Sequence, residues 1–212
     1  WHARQRMRDV RSRLNWLRLA NLAAGTEQPA DAPVLLIDGL GDPGFKISTS
    51  NPLAQRYFNQ GLMLTYGFNH AEAIRAFREA QRLDPGCAMC WWGEANALGP
   101  NINAPMLPGT SDRALEAVSR AVSLMAGATA EEQALISAQK LRYSSQPDVD
   151  RPTLDQAYAK AVMEVATQFP HNNTIAVLAA EAEMDVRPWD YWEADRSTPK
   201  GRIGDAVRLV EG

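Results

Sequence analysis

Between positions 57 and 85 the chain carries a spacing that only a packed pair of helices can use: Tyr57, Gln60, Gly61 and Leu64, then Ala73, Phe77 and Ala80, and finally Pro85. Steps of three and four are helical, and the break near Gly67 divides the stretch into two helices. Gly61 and Ala73 are small where two antiparallel helices cross closely, and Phe77 fills the space between this pair and the next. Pro85 lacks an N–H and clashes with the preceding turn, so the second helix ends before it. Such a unit cannot bury its apolar face alone and must stack on further pairs. The expected fold class is therefore all-α, built of stacked antiparallel helix pairs.

The remainder of the chain reads in the same units. Ser50 or Asn51 caps a first helix with Pro52 in its first turn, running to about Gly67, and its partner spans 70–83. A second pair begins near Cys87, where Trp91, Glu94, Ala95 and Leu98 form one stripe, and breaks at Gly99-Pro100. Its return helix is expected at 111–125, where Ala114, Val118 and Ala121 repeat the spacing of Ala73, Phe77 and Ala80. Thr129 with Glu132 reads as a capped start, giving a third pair at 129–143 and 152–169 that Pro170 closes. A fourth follows at 173–186, then the aromatic loop Arg187-Pro188-Trp189-Asp190-Tyr191-Trp192 and a last helix at about 200–210. Ahead of the pairs lie a basic helix, within residues 1–24, and an irregular Gly- and Pro-rich linker, 25–50. The apolar run Val34-Leu35-Leu36-Ile37 in that linker is expected to pack on the helices as an extended segment. The helical repeat domain is thus expected at 51–212.

Charge narrows the classes of partner. The net charge of the 212 residues is −3, so no whole-chain attraction to nucleic acid or anionic membrane follows. Positive charge is concentrated at the start, where Arg4, Arg6, Arg8, Arg11, Arg13 and Arg18 stand against Asp9. The apolar arc of that helix is modest for membrane binding, and docking on a partner or on the acidic remainder is the expectation. No run of 18 apolar residues is present, so the chain is expected not to be transmembrane. Gly39-Leu40-Gly41 lacks the strand–turn–helix setting of a nucleotide loop, and no cofactor is expected.

A narrower resemblance emerges from Phe68-Asn69-His70, Glu72-Ala73, Phe77, Asp84-Pro85, Cys87-Ala88-Met89, Trp92-Gly93 and Gly99-Pro100-Asn101-Ile102-Asn103. With Ile47-Ser48-Thr49-Ser50 and Pro188-Trp189-Asp190, these residues resemble a group of bacterial tetratricopeptide-repeat proteins over roughly 45–212. The resemblance implies a TPR-like α-solenoid. Its members are often exported, which implies a periplasmic location, with the cytoplasm as the alternative. They usually continue through further helix pairs and a His-rich stretch, so this chain resembles their N-terminal half. The group has no assigned biochemical role.

Two sets of residues are candidates for a site. Cys87 and Cys90, three apart on a helix, place both sulfurs on one face. They are open to three readings: buried thiols, a disulfide, or a metal or redox site with His70 and Met89. His70, between two helices, also reads as a cap or turn residue, and Asn101 and Asn103 read as turn residues or ligand contacts. The second set is the groove-side stripe, Gln55, Phe58, Leu62 and Tyr66 on one helix with Met89, Trp92 and Asn96 on the next. Aromatic, Met and scattered polar groups suit a peptide groove, unless another segment of the same chain fills it. No nucleophile triad or paired carboxylates stand out. The expected function is a non-enzymatic scaffold that binds a protein or peptide partner or serves as an accessory subunit. The alternative is a metal-binding or redox protein using Cys87 and Cys90.

Overall fold

A computed structural model describes residues 33–107, 109–146 and 149–211. The basic helix expected within residues 1–24 and the first part of the linker lie outside these residues. The chain divides after Leu35, and the unit that begins at Leu36 carries all the helices that follow.

Eight α-helices are described: α1 (Pro52–Tyr66), α2 (His70–Leu83), α3 (Ala88–Leu98), α4 (Ser111–Leu124), α5 (Ala130–Lys140), α6 (Arg151–Gln168), α7 (Asn173–Val186) and α8 (Ile203–Glu211). A single 3₁₀ turn, Met125–Gly127, joins α4 to α5. Among the described residues the only β contacts are isolated bridges, Asn101 with Ala104 and Trp192 with Pro199. The fold class is all-α. Local chemistry sets the boundaries. Asn51 caps α1, its side chain accepting from Leu53 N and Ala54 N, and Thr129 with Glu132 forms a complete capping box at α5. Asp150 and Asn172 cap α6 and α7 in the same way.

Each helix packs on the next in sequence, and α1 also packs on α3 and α3 on α5. Between α2 and α3, Arg78 and Gln81 bond the buried Glu94 carboxylate at 2.7 and 2.8 Å, while at Phe77 the packing is carbon on carbon. Phe77 is fully buried between α1 and α3, with Phe58 edge-on at 5.7 Å. A Cβ at Gly61 would lie 2.7 Å from the Phe77 ring, and one at Gly93 nearer still, so both glycines are there to admit it. A second apolar cluster gathers Ala95, Leu98, Ala114, Ala117, Val118 and Tyr143.

Two boundaries differ from those expected. The helix read over 129–143 stops at Lys140, because Leu141 and Arg142 donate to the carbonyls three residues back and tighten the last turn. That turn directs Arg142 and Tyr143 inward. The last helix begins at Ile203 after a turn in which Gly201 has φ 55°.

Candidate functional site

The stripe expected to line an open groove lies largely in the interior. Phe58, Leu62 and Trp92 are fully buried, Met89 and Asn96 are buried, and Tyr66 is half-buried. The physical reason is a cover the sequence did not announce. Residues 42–49, read as irregular linker, run extended along α1 and bury Phe45 and Ile47, with the Phe45 ring 6.1 Å from that of Phe58.

Side chains of three helices hold this segment by its main chain. Gln55 on α1 accepts from Ile47 N through Oε1 (2.9 Å) and donates through Nε2 to Phe45 O (3.0 Å). Upstream of the segment, Gln60 accepts from Ile37 N (2.8 Å). Glu132 on α5 accepts from Ser48 N (2.6 Å) and Ser48 Oγ (2.5 Å), and Thr174 on α7 donates to Pro43 O (3.2 Å). At its end Thr49 donates to Asp84 Oδ2 (2.5 Å), tying the segment to the turn after α2.

A second assembly forms where the loops after α1, α3 and α5 meet the last turn of α7. Asn101 Nδ2 lies 3.1 Å from His70 Nε2, joining the first loop to the second. Arg142 donates from Nη2 to Pro100 O and to Asp185 Oδ2, both at 2.8 Å, joining the second and third loops to the last turn of α7. Its guanidinium also stacks on Tyr158, 4.5 Å from the ring centre. Tyr143 donates to Ala95 O (2.5 Å). A Cβ at Gly99 would lie 2.8 Å from Tyr143 Oη and 2.9 Å from the Arg142 guanidinium, so this turn glycine is the floor of the cluster.

Burial governs the electrostatics. It pushes the Asp185 carboxyl up to about 7 although Arg142 pulls the other way. Burial also raises Glu181, one turn earlier on α7, and Asp155. It raises the Tyr66 phenol too, with Glu181 adding to the shift. Burial lowers the His70 imidazole, whose Nε2 stands against the Asn101 amide. The outer surface of this loop edge is apolar. Phe68, Leu141 and Trp192 are exposed, as are Leu107 at 67% and Trp189 at 68%. Phe68 and Trp189 both hold left-handed backbone, at φ 58° and 65°.

Cys87 and Cys90 form a buried disulfide at the start of α3. His70 does not join them: it opens α2 while the cysteines follow the far end of that helix, about 20 Å along its axis. Among the described residues no three His, Cys, Asp or Glu side chains gather as a metal site. The site of Cys87, Cys90 and His70 that the sequence raised is therefore not assembled. Met89 is buried in the interior.

The comparisons come out empty. No family model, curated protein or solved structure matches this chain. What the arrangement does chemically must be read from its own groups. Arg142 is met by a carboxylate, an amide, a carbonyl and a phenol ring, which makes it a clamp between helices. Sequence reasoning named Gln55, Asn101 and His70, and Glu132 as a capping residue only, but missed Arg142 and Asp185, which look like ordinary surface charges in a run of polar residues. Only the Gly99-Pro100 break hinted that something approaches the backbone there.

Proposed function

We propose that this chain is a non-enzymatic, TPR-like helical-repeat scaffold that binds a protein partner, as an accessory subunit of a larger assembly, and that the partner seats on the loop edge. The observation that carries this reading is the pair Phe68 and Trp189. A large apolar residue in the left-handed region costs on the order of 1 kcal/mol or more, and here it leaves both rings in solvent. The His70–Asn101 contact and the bonds of Arg142 to Pro100 and Asp185 hold the helix ends next to Phe68 and Trp189, so the apolar side chains stand on a fixed base. Exposed aromatics on a fixed base are the usual anchors of an interface.

The stacking of α1 on α3 and α3 on α5 supports a solenoid. The Cys87–Cys90 disulfide supports an oxidising, exported setting. Among the described residues no helix is long and apolar enough to cross a membrane.

The test is affinity purification from the native source, with Phe68→Ser/Trp189→Ser beside the unaltered chain. A partner held stoichiometrically by the unaltered chain is expected to fall at least tenfold with the double variant, whose circular dichroism stays unchanged. Recovery should depend only weakly on salt, because the contact is apolar. Undiminished recovery with the double variant sinks the reading.

A further inference from the structure

We infer that residues 42–49 are an intramolecular occupant of a surface made to hold an extended peptide, and that a partner segment of the same chemistry binds there in their place. This surface is distinct from the loop edge and the inference does not rest on it. The occupant itself shows the chemistry. Side chains alternate along it: Phe45 and Ile47 are buried, while Gly44, Lys46 and Ser48 are exposed. That two-residue period belongs to an extended chain read on one side.

The reading is done by side chains. In an extended chain the carbonyl of one residue and the N–H two further on point the same way. Gln55 takes both, at Phe45 and Ile47, with the two ends of one carboxamide, where a neighbouring strand would otherwise stand. Thr174 reads the Pro43 carbonyl and Glu132 the Ser48 N–H. Main-chain contacts tolerate many sequences, and selectivity comes from the pockets for alternate side chains. Here those are an aromatic pocket against Phe58 and an aliphatic one two residues on. Glu132 then selects a Ser or Thr hydroxyl through a charge-assisted bond. The fitting partner is an unstructured segment reading aromatic, any residue, aliphatic, Ser or Thr.

A displacing segment has to replace two buried side chains and a set of main-chain hydrogen bonds that any extended chain can make. Two side chains carry the apolar burial, and the approach runs through Gly39, Gly41 and Gly44, all at positive φ. A tethered occupant of this kind competes at an effective concentration of order millimolar.

The experiment uses the full chain and a peptide of residues 42–49 (Asp-Pro-Gly-Phe-Lys-Ile-Ser-Thr). At millimolar peptide, amide exchange at Ile47 and Ser48 of the chain should quicken at least tenfold while α3 and α6 stay protected. A control peptide with Ala in place of Phe and Ile should do nothing. Unchanged protection at Ile47 and Ser48 overturns the inference. A second arm vacates the surface: Phe45→Ala/Ile47→Ala should bind labelled peptide at least tenfold tighter than the unaltered chain, and adding Gln55→Leu should remove the gain. A folded double variant that binds no better also overturns it. Should that variant not fold, the exchange measurement on the unaltered chain decides.

Discussion

The Phe77 ring is enclosed by carbon from three helices, whereas around Arg142 three helices and two loops meet on charge. The first junction is a ring flanked by two glycines, with Phe58 at its edge. The second is a guanidinium that serves Asn96, Pro100, Asp185 and Tyr158 together. Both are fully enclosed, yet they differ in what they ask of their neighbours. The apolar junction needs volume and proximity, and several residue choices supply those. The polar junction needs every acceptor in place, since an unmatched buried charge costs several kcal/mol. The difference explains why one was visible in the spacing of the sequence and the other was not.

The two central residues should show the largest effects. Phe77→Ala should lose about 3–5 kcal/mol of stability in chemical denaturation, through a lost ring and the cavity left behind. Arg142→Ala should lose a similar amount, about 3–5 kcal/mol, by stranding Asp185 and three other partners. What separates the junctions is rescue. Arg142→Met with Asp185→Leu should recover much of the loss, because apolar residues of like volume can replace a buried pair. No second substitution beside Phe77 should do so by changing charge. A double variant no better than Arg142→Ala would mean that the clamp is held by Asn96, Pro100 and Tyr158 instead.

Smaller effects should follow at the glycines. Gly93→Ala and Gly99→Ala each push a methyl against a buried group and should cost about 1–3 kcal/mol. Gly93→Ala should be relieved by Phe77→Leu, which yields space, whereas Gly99→Ala should not, since its obstruction is Arg142 and Tyr143. Equal response of both to Phe77→Leu would show that the two junctions are coupled.

The dependence on pH separates the two junctions in a different way. Asp185 rises from its ordinary 3.8 to about 7 in the folded chain. Between those values the folded state keeps a proton that the unfolded state has released, so stability falls as pH rises from about 4 to about 7. Below and above that window this group contributes no slope. Glu181 and Asp155, also raised, act in the same sense. Asp185→Asn should flatten the midpoint of denaturation across pH 4–7, and the Phe77 junction, having no titrating group, should leave that profile untouched. An undiminished slope in Asp185→Asn would place the titration elsewhere.

Helix phase was legible because its determinants sit within a few residues of each other. The fourth pair's first helix was read at 173–186 and is observed at Asn173–Val186, and the capped start at Thr129 is present in full. The candidate site was far less legible. Phe58, Leu62, Met89 and Trp92 form an apolar stripe whether a partner or the chain itself covers them, and periodicity does not distinguish the two. Phe45 and Ile47, set among Gly, Pro and Ser, carried no helical or long alternating pattern to mark them as that cover.

The all-α class, the phase of the pairs and most helix boundaries were legible along the chain, whereas the end of α5 at Lys140 and the start of α8 at Ile203 were not. Caps, prolines and the small–large spacing around Phe77 act over one or two turns, and no distant residue is needed to enforce them. Tertiary structure alone decided that residues 42–49 lie along α1, that Arg142 finds Asp185 across 43 residues, and that the loop aromatics face outward. Those outcomes depend on how helices cross and which loops are thereby brought within about 3 Å. A hydrogen bond or ion pair is made only at that range, and no spacing along the chain encodes it.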